Sequence, residues 1–318
     1  MLYVFSRNNL SKGVNRFWLM WLVWGLTGPV SAELLASATL VETVNGLPMT
    51  VFHVLRQGEQ LDVTPMMPLY EGDQVYVLNA TNNVLKDKQN YINLRLGDQQ
   101  LVKVTDQNSP YLVAKADTNH LIPSQLLASI SPWFKSLYQH SVKIKQPDTK
   151  IPQRDDFTMP LLAQSKAQLI TGERSLHLAW QGGKAPYWVQ VFSEHDQKNP
   201  FLIQHKVPTR QLQFEKRLLV PGYYRVIVIS VDGSWRSTQA DFHVVKDLPS
   251  TLQKVEAEIQ ASSLSKPAKQ TMFAAWLAQT DNGEWQFEAY QRIVSIAATY
   301  QPALLIKEAL EKTLKIEN

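Results

Sequence analysis

The sequence contains no cysteine. This absence excludes disulfide bonds, thiolate zinc sites and cysteine nucleophiles, so stability has to come from packed cores. A chain of 318 residues, 44% of them hydrophobic, has enough apolar material for such cores. The composition therefore predicts a folded protein of two or three domains and excludes a disordered chain.

The chain beyond residue 32 has almost no net charge. Of the 32 basic residues, Arg7, Lys12 and Arg16 lie within residues 1–32, which hold no acid, and the remaining 29 stand against 28 acidic residues. A nearly neutral chain offers no electrostatic footprint for phosphate backbones. Nucleic acid is therefore not an expected partner.

Residues 1–32 have the pattern of a secretory signal peptide. A basic start precedes an apolar stretch from Phe17 to Leu26, then a helix-breaking Gly28-Pro29 and the small-residue site Val30-Ser31-Ala32. We predict cleavage before Glu33 and a periplasmic or secreted protein. The alternative is a retained inner-membrane anchor that faces the periplasm. The apolar stretch is shorter than the about 20 residues of a membrane span, and its proline interrupts a helix.

Residues 33–145 alternate β-branched and aromatic residues with polar ones between glycines, which predicts strands. A short helical piece is expected near the end of this region, with Ser131-Pro132 as its start. Residues 146–158 are polar, contain two prolines and lack periodicity, so we interpret them as a linker that joins two domains.

Residues 159–246 predict a second β domain, because short strand patterns recur at even spacing. Trp180 is the expected core tryptophan of this domain. The spacing becomes helical over residues 250–318 and predicts two or three amphipathic helices. Asp281 and Glu284 indicate a capping box, and Pro302 is expected in the first turn of the last helix.

Two stretches of the first β region, Pro68-Leu69-Tyr70-Glu71-Gly72-Asp73-Gln74-Val75 and Tyr91–Leu101, resemble FecR-like domains. In the second region, Leu176-x-Leu178-Ala179-Trp180 and Pro221-Gly222-x-Tyr224 resemble the immunoglobulin-like modules of exported bacterial proteins. The resemblance implies a multidomain, mainly β fold: a FecR-like domain, an immunoglobulin-like β-sandwich and a short C-terminal α-helical region. It also implies scaffolding or recognition and no known reaction.

No local motif for catalysis, cofactors or metals stands out. The strand histidines His177, His205 and His243 lack the spacing of a zinc helix. The triplet Glu194-His195-Asp196 lies in a predicted loop, and Ser263-x-x-Lys266 lies in a polar segment between domains. We therefore predict no catalytic residue, no metal and no cofactor.

The number of aromatic residues is the most distinctive feature of the composition, with nine tryptophans in the chain. Exposed aromatics often mark recognition surfaces, and core packing is the alternative for each of them. The candidate recognition residues are Tyr187, Trp188, Trp235, Arg236, Trp276 and Trp285.

The favoured function is that of an exported cell-envelope binding or scaffold protein without catalytic activity. Its expected partner is a protein of the envelope or a cell-wall glycan, and the membrane is involved only through an uncleaved signal segment. One alternative is an envelope hydrolase whose carboxylates meet only in the folded chain. The other is a structural subunit that docks through apolar residues of the helices at 270–316.

Overall fold

The computed structural model describes residues 36–45, 51–78, 90–115, 124–144, 157–163, 166–231 and 236–312. The predicted signal peptide, the linker up to residue 156, and Trp235 lie outside the described residues. Within the described ranges the protein is mainly β, with several antiparallel sheets and five α-helices, most of them C-terminal.

The first β part covers residues 36–115 and forms two four-stranded antiparallel sheets, in the orders β4-β1-β6-β7 and β3-β2-β5-β8. Buried and half-buried residues alternate along strands such as β5 and β6, as expected for sheets with one face in a core. The strands are β1 (Ala36–Asn45), β2 (Phe52–Arg56), β3 (Glu59–Asp62), β4 (Pro68–Tyr70), β5 (Gln74–Val77), β6 (Tyr91–Arg95), β7 (Leu101–Val104) and β8 (Tyr111–Leu112).

The Gly72-Asp73 turn explains one of the sequence motifs in structural terms. Gly72 has a φ of 86°, a conformation that glycine adopts without strain. Asp73 is buried and accepts hydrogen bonds from the Arg56 guanidinium, at 2.7 Å from Nη2, and from the Tyr70 N–H at 2.8 Å. The motif aspartate is therefore part of a buried ion pair, and loss of either partner would leave an uncompensated charge.

The second β part covers residues 166–245 and is built around a five-stranded sheet in the order β13-β12-β16-β17-β9, in which only the β17–β9 pair is parallel. Two further antiparallel pairs are β10-β15 and β11-β14. The strands are β9 (Gln168–Ile170), β10 (Gly172–Arg174), β11 (His177–Ala179), β12 (Tyr187–Ser193), β13 (Leu202–Val207), β14 (Gln211–Gln213), β15 (Arg217–Leu219), β16 (Gly222–Ser230) and β17 (Ser237–Val245).

Five α-helices complete the described residues: α1 (Ser124–Ile144), α2 (Ser250–Ala261), α3 (Lys266–Gln279), α4 (Gln286–Ile293) and α5 (Gln301–Lys312). The last of them contacts the first β part, where the Gln301 side chain bonds both the N–H and the carbonyl of Val44 at 2.9 Å. Helix α4 contacts β9 of the second part. The helices therefore share a core with both β parts. No helix of the described residues is long and apolar enough to cross a membrane.

The apolar side chains of the C-terminal helices, on which the docking alternative depends, are mostly buried in the described part of the chain. Their large apolar side chains pack inside the chain, including Phe273, Phe287, Ile293 and Ile306, which are at most 1% exposed. Leu304, at 38% exposure, is the one exposed large hydrophobic residue of the described helical segment. A single exposed leucine does not form an extended apolar patch.

Three local expectations were wrong. Ser131-Pro132 does not start a helix, because α1 begins at Ser124 and continues through the proline. Asp281 does not form a capping box with Glu284, since it has a φ of 51° and its carboxylate accepts from the indole N–H of Trp285 at 3.3 Å. Four helices, not two or three, follow residue 249 in the described part of the chain.

Other expectations are confirmed. Trp180 is buried, with 3% of its surface exposed, and Pro302 lies in the first turn of α5. Residues 157 and 158, in contrast, differ from the expected linker: Thr158 pairs with Gln181, and the Phe157 ring lies 6.1 Å from that of Tyr187 in the second β part.

Candidate functional site

A cleft of about 710 Å³ opens between the second β part and the helices. Residues of β10, β11, β14 and their loops line one wall, and residues of α4, α5 and the turn between them line the other. This volume is in the usual range for the binding site of a small ligand or a short chain segment. We call it the helix cleft.

Gln291 of α4 fixes the β11 wall of the helix cleft. Its Oε1 accepts from the His177 N–H at 2.9 Å, and its Nε2 donates to the His177 carbonyl at 2.7 Å. One buried amide side chain therefore satisfies both backbone hydrogen-bonding groups of a single residue, in the way a neighbouring strand would.

Glu288 ties the same helix to the start of the second β part. Its Oε2 accepts from the Arg174 Nη1 at 2.8 Å and from the Ile170 N–H at 3.1 Å, and its Oε1 accepts from the Arg292 Nε at 2.7 Å. The carboxylate is buried, whereas both arginines keep some contact with solvent. This carboxylate holds the helix and the β part in one arrangement, because loss of either arginine would leave its buried negative charge without a compensating positive charge.

A third set of contacts joins the two walls of the cleft around Glu311 of α5. Its Oε1 accepts from the Tyr290 hydroxyl at 2.6 Å, from Lys307 at 2.8 Å and from the Gln211 Nε2 at 3.0 Å. Burial and the negative charge of Glu311 raise the pKa of Tyr290, so the phenol stays a hydrogen-bond donor. Both walls are thus held in place before any ligand binds.

The charges that line the helix cleft are largely cancelled. Glu288 neutralises Arg174, and Glu311 neutralises Lys307. Lys216 and Glu173 in the lining carry opposite charges. Most remaining polar groups of the lining are neutral hydroxyls and amides: Ser175, Thr209, Gln211, Gln213, Gln291 and Ser295.

His177 adds a neutral imidazole to this lining. Burial and the positive charge of Arg174 lower the pKa of His177, so the ring is uncharged at neutral pH. The Ser175 hydroxyl also lines the cleft, but no hydrogen bond joins it to the imidazole in the described structure. A serine nucleophile needs such an activating base. The helix cleft has the chemistry of a binding site for neutral, hydrogen-bonding groups.

The candidate recognition residues do not form one surface. Tyr187 and Trp285 are buried, at 2% and 1% exposure, and cannot contact a partner. Trp188 is half-buried on the solvent-facing side of the five-stranded sheet, where its ring lies edge-on to His205. Trp276 is half-buried on α3, Arg236 is exposed just before β17, and Trp235 lies outside the described residues.

The other candidate groups also stay apart. The described residues contain no cluster of three histidine, aspartate or glutamate side chains that could hold a metal ion. His205 and His243 lie on β13 and β17, with two strands between them, and His177 lies on β11. Lys266 is exposed at the start of α3, so it lacks the burial that would make it a base for Ser263.

No protein-family model and no curated protein sequence matches the chain.

Proposed function

We propose that this protein is an exported, non-enzymatic binding or scaffold protein of the cell envelope. In this proposal the first β part is a FecR-like domain, and the second is an immunoglobulin-like sandwich. The helix cleft receives an extended peptide segment of a protein partner. The observation that carries the proposal is a cleft with fixed walls, balanced charges and neutral amide groups.

The contact between Gln291 and His177 shows how a glutamine side chain in this cleft can pair with the backbone of an extended segment. A glutamine amide presents a donor and an acceptor side by side, which matches the N–H and carbonyl of a peptide. Gln213 is exposed in the same cleft, and its side chain has no hydrogen-bond partner in the described structure. It is therefore free to pair with an incoming backbone in the same manner.

An extended segment suits this cleft better than a charged ligand. Fixed walls lower the entropic cost of binding, because few side chains have to be ordered when the ligand arrives. The cancelled charges favour neither an anion nor a cation. A hydrolase that acts through paired carboxylates needs two of them at the reacting bond, and the lining of the helix cleft includes one, Glu173.

A photo-crosslinking amino acid at Gln213 tests the site in its native envelope. We expect a crosslinked protein partner from position 213 and none from position 218, because Leu218 is exposed on β15 and is not part of the lining. Ser295→Trp fills the cleft and should abolish the crosslink. Thr299→Trp adds the same ring at an exposed residue outside the lining and should leave it intact.

Equal crosslinking from positions 213 and 218, or a crosslink that persists in Ser295→Trp, would show that the partner does not use the helix cleft. Export is tested separately by the intact mass of the protein made with its own first 32 residues. A mature chain that starts at Glu33 supports the proposal, and one that starts at Met1 contradicts cleavage.

A further inference from the structure

A second hollow, of about 350 Å³, lies on the side of the five-stranded sheet that faces solvent. It is formed where β12 ends and β16 begins, with Asp241 of β17 and the loop after β12 at its edges. We call it the sheet groove. Its residues are distinct from those of the helix cleft, so the two hollows are separate sites.

Tyr223 gives the sheet groove an aromatic platform. Its side chain is 59% exposed although it lies in the middle of a sheet. The ring stacks on the imidazole of His243 of the next strand, with centroids 4.3 Å apart and planes only 12° from parallel. This cross-strand contact fixes the orientation of an exposed ring that would otherwise move between rotamers.

Charged groups flank the platform at fixed positions. Arg225 and Asp241 form a two-point ion pair, from Nε to Oδ1 at 2.8 Å and from Nη2 to Oδ2 at 3.1 Å. Glu194 lies against Gly222 so closely that a Cβ on this glycine would come within 2.5 Å of the Glu194 carboxylate. The absence of a side chain at position 222 therefore makes room for the acid.

The loop that carries Gln197 into the groove is ordered by Asp196. The Asp196 carboxylate accepts from the N–H groups of Lys198 and Asn199, both at 3.0 Å, and from the Asn199 side chain at 3.0 Å. The hydrogen bonds of Asn199 and Lys198 lower the pKa of Asp196 and keep it ionised. The groove thus presents an aromatic ring, two carboxylates, a guanidinium and an amide, and contacts within the protein hold the ring, the ion pair and the loop in position.

We propose that the sheet groove binds a sugar ring of a neutral glycan. One face of a pyranose is a flat array of C–H groups, which packs on an exposed aromatic ring, and its edge carries hydroxyls. Carboxylates, guanidinium and amide groups bind vicinal hydroxyls in pairs, because they offer two hydrogen-bonding atoms at a fixed spacing. Tyr223 supplies the first kind of contact, and Glu194, Gln197, Arg225 and Asp241 supply the second.

Other ligands fit the sheet groove less well. Two carboxylates against one arginine repel phosphate and other anions. Hydrolysis of a glycan uses two carboxyl groups, one of which donates a proton, whereas Asp241 is held in a two-point ion pair with Arg225 and Glu194 is the one other carboxylate among the described residues that line the groove. The groove therefore binds the sugar without cleaving it. This inference stands apart from peptide binding in the helix cleft, so either can fail alone.

Titration of the protein with soluble tetrasaccharides tests the inference. The probes are β-1,4-linked N-acetylglucosamine, β-1,4-linked glucose and α-1,4-linked glucose, with binding measured by calorimetry. We expect saturable binding of at least one probe. Tyr223→Ala should weaken it about five- to tenfold, because the stacking surface is lost, whereas Tyr223→Phe should retain it.

Leu218→Ala is the matched control, since Leu218 is 60% exposed and lies outside the groove. Glu194→Gln is a second variant that keeps the test valid if Tyr223→Ala fails to fold, and it should also weaken binding. No saturable binding of any of the three probes overturns the inference. Binding that is unchanged in the folded groove variants but lost in Ser295→Trp overturns it too, because the sugar would then occupy the helix cleft.

Discussion

Glu288 and Asp241 each bind an arginine with a shortest distance of 2.8 Å or less, yet they lie in opposite environments. Only 2% of the Glu288 side chain is exposed, against 55% for Asp241. Inside the chain, an ion pair has to be complete, because an unpaired charge cannot be solvated. At the surface, water replaces the lost partner. Burial, and not distance, therefore separates contacts that hold the fold from contacts available for recognition.

Two tryptophans of the second β part, Trp180 and Trp188, give the strongest test of this contrast. Trp180 is buried against Tyr187, with ring centroids 5.2 Å apart, whereas Trp188 is half-buried on the solvent-facing side of the sheet. Trp180→Ala should lower the free energy of unfolding by about 3–5 kcal/mol, measured by urea denaturation. Trp188→Ala should lower the free energy of unfolding by clearly less than Trp180→Ala does. If both variants lose the same free energy of unfolding, or if Trp180→Ala loses less than about 1 kcal/mol, then Trp180 is not part of the core.

Removal of the buried carboxylate should have the next largest effect. Glu288→Gln leaves Arg174 and Arg292 without their shared anion while it keeps an acceptor for the Ile170 N–H. We expect a loss of about 3 kcal/mol in the free energy of unfolding, at the low end for a broken buried pair because both arginines keep some solvent contact. Urea denaturation measures it. An unchanged midpoint would show that Glu288 is solvated.

A smaller, pH-dependent effect is expected from His177 in the wall of the helix cleft. Its pKa is lowered in the folded state by burial and by Arg174, so below about pH 6.5 the unfolded chain binds more protons than the folded one. Stability should therefore fall as the pH drops below about 6.5, and His177→Gln should reduce this loss. Urea midpoints at pH 8, 7, 6 and 5 measure it.

His205→Gln is the control for the pH series, since that side chain is exposed on β13. It should follow the same pH dependence as the wild-type protein. If His177→Gln also matches the wild type at every pH, then the His177 imidazole is solvated and the wall of the cleft is open to water.

Much of the β architecture could be predicted from the sequence, because alternation is a local signal. Alternation over Tyr187–Phe192 and Tyr223–Ser230 predicts strands there, and the structure extends each by one residue, to Ser193 and to Gly222. The sequence pattern does not predict β9, β10 and β15, which have three residues each. So short a strand shows no periodicity and is defined by a partner that is distant in sequence.

The helix cleft could not be predicted, because its groups come from remote positions. Gln291 and His177 are 114 residues apart in sequence, and Glu288 and Arg174 are equally far apart. One signal was present in α4. Glu288 and Gln291 are polar residues three apart within the apolar run around Phe287 and Tyr290, which places them on one buried side of a helix. Polar residues at such positions need partners, and the sequence does not name them.

The exposed ion pair of the sheet groove completes the comparison and should show the smallest effect on stability. Asp241→Asn removes the charge that binds Arg225, but both side chains are more than half exposed, so water can solvate the released guanidinium. We expect a urea midpoint that cannot be distinguished from that of the wild type, in contrast to Glu288→Gln. The same variant should weaken binding of the tetrasaccharide, because it removes one oxygen that accepts from a sugar hydroxyl. A large loss of stability in Asp241→Asn would show that the ion pair stabilises the sheet. The pair would then serve folding and would not support a role of the groove in recognition.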